Sequence, residues 1–194
     1  MLKPLITYIE QQSTSALRES DIALMNEAFI PRKLSKRQFL LQEGDICRYI
    51  AFIVKGATRQ YTVDEKGNEH ILNLCIENWW TSDRESFLRE IPSIYNIDAW
   101  EETTLLLLPK ANDYYYRVNE IPAFQEMRII LDENNHMAAQ RRLLTAINFT
   151  AEDKYEEMIK SHPDLIKRFP QHIIASYLGM SKETLSRIRS NSIR

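Results

Sequence analysis

Cysteine is scarce in this 194-residue chain. It holds two, Cys47 and Cys75, which cannot make the spacing of a zinc or iron–sulfur site. Each reads as a small buried hydrophobe. Glycine occurs four times, and no glycine-rich loop that could cradle a phosphate is present. The four histidines, His70, His136, His162 and His172, are scattered. A metalloenzyme of cupin type needs clustered histidine and carboxylate ligands on facing strands, so that alternative is disfavoured. No nucleophile–base pair is visible, and the sequence predicts a protein that is not an enzyme. No apolar run reaches the roughly 20 residues of a membrane span. The first residues, MLKPLITYIEQQ, lack the apolar core and cleavage site of a signal peptide. The expectation is a cytoplasmic protein with no membrane partner. The net charge of −2 shows no global excess of either sign.

What is present is concentrated near the C-terminus. From Ile166 onward, Lys167, Arg168, Lys182, Arg187, Arg189 and Arg194 face a single acid, Glu183. A basic end on a mildly acidic body has the look of a separate nucleic-acid module. The stretch Gln171–Ser190, QHIIASYLGMSKETLSRIRS, reads as two short helices joined at Gly179. Ile174, Ala175 and Leu178 before the glycine, and Met180, Leu185 and Ile188 after it, have the spacing of a helix-turn-helix core. Ser181 is placed to cap the second helix. The outward residues Lys182, Glu183, Thr184, Ser186, Arg187 and Arg189 can each touch a base edge or a phosphate, and Ser181, Lys182, Thr184, Arg189 and Arg168 are candidates for phosphates, which position without specifying.

The remaining chain reads in three stretches. Lys3–Gln12 and Asp21–Phe29 look helical, the second capped by Ser20 and ended by Pro31. From about Arg37 to Leu108 come short strands with regular turns: Gln38–Leu41, Tyr49–Val54, Ala57–Val63, Asn68–Ile76, Ile97–Trp100 and Thr104–Leu108. Asp64–Gly67 closes a hairpin, with Leu72, Leu74 and Ile76 on one strand face. This texture predicts a jelly roll. Between its strands lies Trp79–Leu88, where Ser82 or Asp83 can cap a short helix. Trp79, Trp80, Asp83, Arg84, Glu85 and Tyr95 are candidates for lining a small-ligand pocket there. After Pro122 a helix of about 26 residues follows to Asn148. Phe124, Met127, Leu131, Asn134, Ala138, Arg141 and Thr145 follow a 3–4 spacing, which predicts a seam against a second copy of the chain. Thr150–Asp153 resembles a capping box that opens a further helix.

This order resembles the Crp/Fnr family of bacterial transcription regulators over nearly the whole chain. The resemblance is carried by FIVKG at Phe52–Gly56, QRRLLTAINFTAEDKY at Gln140–Tyr155 and FPQHIIASYLGMSKETLSRIR at Phe169–Arg189. It implies an α+β fold. Residues 1–118 would form a β-roll sensor domain (a double-stranded β-helix or jelly roll), 119–149 a long dimerisation helix, and 150–194 a helix-turn-helix domain with a reduced wing. Glu183-x-x-Ser186-Arg187 matches the base-reading signature of the Fnr branch. The resemblance therefore implies that these three residues read bases in a palindromic operator of TTGA/TCAA type, in a homodimer that addresses RNA polymerase. The chemistry agrees: arginine can fork onto guanine and glutamate can accept from cytosine. Glu183 and Arg187 also stand four residues apart, where they can pair with each other. In cyclic-nucleotide-binding members, a Gly-Glu pair and an Arg-Ser or Arg-Thr pair hold the ribose and phosphate. Here those places fall at Ser82-Asp83 and Ser93-Ile94, so the cyclic AMP site is not preserved and the effector is unassigned. The cysteine set of the iron–sulfur members is missing, and His70 alone does not argue for haem. A second reading is a ligand-binding β-roll protein that has lost DNA binding.

Overall fold

A computed structural model describes residues 1–192 of the chain; Arg194, counted above in the basic end, lies outside them. Two compact units emerge. One combines Met1–Gln60 with Cys75–Asn134, and the other combines Tyr61–Leu74 with the chain from Asn135 onward.

The first unit opens with helices α1 (Lys3–Gln12) and α2 (Glu19–Ala28). Ser20 is not the N-cap of α2. Arg18 holds that place, because the Asp21 carboxylate reaches back to accept from its backbone N–H at 3.0 Å and grips its guanidinium. Pro31 does not end this helix either; it lies inside a strand, β1 (Ile30–Leu34). The other strands are β2 (Phe39–Leu41), β3 (Tyr49–Lys55), β4 (Thr58–Val63), β5 (Glu69–Cys75), β6 (Trp80–Thr81), β7 (Asn96–Ala99) and β8 (Thr103–Pro109). They form two four-stranded sheets, ordered β1-β8-β3-β6 and β2-β7-β4-β5. β1 is the outer strand of its sheet, where a missing N–H is tolerated.

β8 shows why these residues make this fold. Its run of four leucines is buried on both faces, which a strand covered on one face only would not be. Leu105 and Leu107 pack between the sheets with Leu34, Ala51, Ile53 and Ala99. Leu106 and Leu108 face the other way, against Leu5, Ile9, Met25, Phe29 and Phe124 from the helices. β3 alternates in the same manner beside it, with Ala51 paired to Leu107 and Phe52 to Leu106. Gly56 closes the turn after β3 with φ +100°, and a Cβ there would meet Thr103 Oγ1 at 2.5 Å. No side chain fits that turn without moving β8.

Helix α3 (Arg84–Arg89) follows β6, and α4 (Tyr114–Asn119) follows β8. The long helix α5 then runs from Pro122 to Asn148, 27 residues, or roughly 40 Å. Its first apolar stripe does not face outward. Phe124 and Met127 are buried in the first unit's own core, and Leu131 packs against that core. The apolar stripe left open is shifted: Ile130, Met137 and Leu144 recur every seven residues and are 38%, 46% and 55% exposed.

In the second unit, β4 and β5 meet in a turn closed by Asp64. Its carboxylate accepts from the backbone of Lys66 and Asn68 at 2.9 and 2.8 Å. The expected face Leu72–Leu74–Ile76 is only part buried. Ile71, Leu74 and Cys75 are the covered residues, and Cys75 belongs to the first unit, in the core with Ala51 and Leu105. The helices of the second unit after α5 are α6 (Ala151–Ser161), α7 (Pro163–Arg168), α8 (Gln171–Tyr177) and α9 (Lys182–Ser192). The capping box at α6 is reciprocal. Thr150 Oγ1 accepts from the Asp153 N–H at 3.2 Å, and the Asp153 carboxylate accepts from the Thr150 N–H at 3.0 Å. Tyr155, Met158, Leu165, Ile173, Ile174, Ala175, Leu185 and Ile188 of these helices are buried, as is Phe169 between α7 and α8.

Candidate nucleic-acid interface and sensor site

α8 and α9 pack on each other, and α9 packs on α6. Between them Gly179 takes φ +69°, a conformation glycine adopts without penalty. The Met180 N–H donates back to the Ala175 carbonyl at 3.0 Å, which closes the turn. Ser181 Oγ accepts from the Thr184 N–H at 3.1 Å, capping α9, and bonds Thr184 Oγ1 at 3.0 Å. The Ser181 and Thr184 side chains thus serve the helix start first. Leu185 and Ile188 anchor the buried side of α9.

The opposite side carries Lys182, Glu183, Ser186 and Arg187, all exposed, with Arg189 half-buried beside them. Glu183, Ser186 and Arg187 therefore share one open helix face. Among the described residues no ion pair joins Glu183 to Arg187, so neither charge is spent on the other. Arg168 closes α7, away from that face in sequence, and is already engaged within the protein.

The sensor candidates do not come together as one pocket. Asp83 caps α3, its Oδ1 accepting from the Ser86 N–H at 3.1 Å. Its Oδ2 accepts from Ser93 Oγ at 2.7 Å. Ser93 Oγ in turn accepts from the Tyr95 N–H at 3.0 Å. Ser86 Oγ accepts from the Cys47 N–H at 2.9 Å and donates to the Ile91 carbonyl at 2.6 Å. Asp83, Ser86 and Ser93 are all buried. The two positions where the resemblance puts ribose and phosphate groups are thus bonded to each other. An incoming phosphate would meet the Asp83 carboxylate.

Arg84 does not supply a cation there. It turns to α5 and forks onto the Asp132 carboxylate, with Nη2 at 2.9 Å from Oδ2; Arg128 joins the same carboxylate at 3.4 Å. The hydrogen bond that Arg84 donates to Asp132, above all, holds the Arg84 pKa up. Glu85 pairs with Arg89 at 2.9 Å on the exposed side of α3. Trp80 is a core residue, edge-on to Phe124 at 6.1 Å and 5.2 Å from Phe52. Trp79 packs on the inter-sheet core. A cavity of about 410 Å³ lies elsewhere in this unit, lined by Arg32, Phe39, Leu40, Gln42, Arg48 and Tyr49 among others. The cysteines are not reactive groups. Burial pushes the Cys47 thiol up and takes Cys75 to about 12, leaving both protonated at neutral pH.

One buried pair escaped sequence reasoning. Arg59 on β4 and Asp98 on β7 meet in the interior. A charged residue inside each of two predicted strands was the available signal, since such groups are buried only when paired.

Residues 31–112 match the cyclic nucleotide-binding domain family. The chain is 26% identical over 185 residues to the fumarate and nitrate reduction regulatory protein of Vibrio cholerae, covering 89% of this chain and 72% of that one. Its fold is similar to that of FixK2 from Bradyrhizobium japonicum, with TM-score 0.65 and 16% identity over 84% of this chain and 83% of that chain. It is also similar to the c-di-GMP responsive global regulator CLP of Xanthomonas campestris, with TM-score 0.70 and 10% identity over 90% and 91% of the two chains.

Proposed function

We propose that the chain is a regulator of Crp/Fnr type that reads a palindromic DNA operator as a dimer and answers a signal other than a cyclic nucleotide, a reading supported by the match of residues 31–112, the 26% identity to the Vibrio cholerae regulator and the similarity of fold to FixK2. The observation that carries the DNA reading is the open face of α9. Lys182, Glu183, Ser186 and Arg187 stand free over a buried Leu185–Ile188 side, behind a tight, capped turn. Arg187 is suited to a guanine and Glu183 to a cytosine.

Pairing of two copies is supported by the Ile130–Met137–Leu144 stripe. Asn134 and Arg141 are interleaved with it, and polar residues on such a seam specify register. A two-fold pair of reading helices addresses half-sites one helical turn apart, about 34 Å. The signal is proposed to be other than cyclic AMP because Asp83 and Ser93 satisfy each other where a phosphate would need a cation. RNA polymerase is the proposed downstream partner, on the resemblance.

The test is selection from random DNA with the purified protein. A palindrome with two equally spaced half-sites, bound more weakly as salt rises, is expected. Recovery of unrelated sequences only would sink the DNA reading. Cyclic AMP is expected to leave the melting temperature unchanged at millimolar concentration, and a clear upward shift would overturn that part.

A further inference from the structure

The first helix of the DNA-reading pair is fastened to the β4–β5 hairpin by contacts that no expectation about the reading face required. β5 is the outer strand of its sheet. The Glu69 carbonyl and the Ile71 N–H are two residues apart, so they point to the same side of the strand, as the groups a neighbouring strand would take. Ser176, at the end of α8, takes both. Its Oγ accepts from the Ile71 N–H at 3.0 Å and donates to the Glu69 carbonyl at 3.0 Å. A hydroxyl can do this because it is donor and acceptor at once.

Arg142 of α5 completes the junction. Its Nη1 donates to Asn73 Oδ1 at 3.0 Å and its Nη2 to the Leu72 carbonyl at 2.9 Å. The same guanidinium lies 5.0 Å from the centre of the Tyr177 ring, next to Ser176. Only a planar, forked cation makes two directed bonds and covers an aromatic face together.

We propose that Ser176 and Arg142 are positioning residues for DNA reading, and that the β4–β5 hairpin, as well as α5, sets where α9 points. β4 starts at Thr58 in the first unit and leads into the hairpin, so the hairpin is continuous with a strand of that unit. The reading face itself stays free. What the junction governs is therefore the placement of two reading helices relative to each other, which DNA senses as half-site spacing.

The inference rests on the DNA-reading proposal, and its test separates the two. Spin labels placed through Lys66→Cys and Asn191→Cys report the distance from hairpin tip to α9 without any DNA. A narrow distribution is expected in the parent protein, and a broad one in Ser176→Ala and Arg142→Ala. Ser176→Thr, which keeps the hydroxyl, is expected to stay narrow. On a selected operator with spacing varied by single base pairs, the two alanine variants are expected to lose at least about fivefold in discrimination between best and next spacing. Their affinity for an isolated half-site is expected to be unchanged. Unaltered distance distributions in both alanine variants overturn the proposal whether or not DNA is bound. So does a spacing profile identical to the parent's. Broadened distances in a protein that selects no palindrome would support the junction and refute the DNA reading.

Discussion

The guanidinium of Arg59 donates to both oxygens of the Asp98 carboxylate, Nε to Oδ1 at 2.8 Å and Nη2 to Oδ2 at 2.9 Å, with both side chains 2% exposed or less. The Trp100 ring lies 5.7 Å from the same guanidinium. β4 and β7 are neighbours in one sheet, so this fork crosses between adjacent strands inside the first unit.

Removing one member leaves the other charged and buried. Asp98→Asn or Arg59→Met is therefore expected to cost about 3–5 kcal/mol of stability, read as a lower denaturant midpoint. The double variant Arg59→Met/Asp98→Leu is expected to recover part of that loss. If each single variant melted like the parent, the pair would not be a closed, dry contact.

On DNA, Arg187→Ala is expected to lose about 1–3 kcal/mol, roughly 5- to 150-fold, with relaxed preference at one base pair of each half-site. Lys182→Ala is expected to weaken all sequences alike and to lower the salt slope by about one. Titrations on the selected operator and on single-base variants measure both. Equal losses on every sequence for Arg187→Ala would remove it from base reading.

The shifted stripe on α5 predicts which substitutions separate the copies. Met137→Glu with Leu144→Glu removes two apolar side chains from the proposed seam, about 3 kcal/mol. That should raise the dimer dissociation constant by about a hundredfold in sedimentation equilibrium. Phe124→Ala instead empties a place in the chain's own core and is expected to cost about 3–5 kcal/mol of folding stability. The opposite pattern would restore the seam expected from sequence.

Glu126 of α5 gives a pH signature. Its carboxylate accepts from the N–H groups of Thr14 and Ser15 at 2.7 and 3.2 Å and from Ser15 Oγ at 2.5 Å. These bonds, the Ser15 hydroxyl first, draw its pKa from 4.5 to about 2. The contribution to stability is complete above 4.5 and disappears as pH falls through about 2. Glu126→Gln is expected to lower the melting temperature at pH 7 and to flatten its dependence between those values. An identical pH profile in the variant would show that the carboxylate is not so held.

What was legible in the sequence was local. Thr150–Asp153 and Ser181–Thr184 are reciprocal or near-neighbour caps, and Gly179 announces a turn its neighbours cannot make. The four leucines of β8 announced a strand, though not that it is covered on both sides. The failures involved distance or competition. Ser20 lost the cap of α2 to Arg18 because the Asp21 carboxylate reached backward. The open apolar stripe of α5 lies one position from the expected seam because Phe124 and Met127 had a nearer core to enter. Arg59 and Asp98 are 39 residues apart, and Ile71 and Ser176 are 105 apart. No periodicity links such pairs until the sheet order is known. Arg84 reads as a pocket-lining residue from sequence because Asp132, 48 residues on, takes its guanidinium only in the folded chain.

Pro31 also has a bearing beyond the place it occupies in β1. The outer edge of a sheet invites another chain to extend it, and proteins that remain separate guard such edges with proline and charge. β1 has both: Pro31 offers no N–H, and exposed Lys33 stands two residues on. Self-templated growth of this sheet is blocked on that side, which leaves the proposed pairing of copies to side chains on α5, where a single substitution can tune the association, rather than to a main-chain ladder at this edge that is indifferent to sequence.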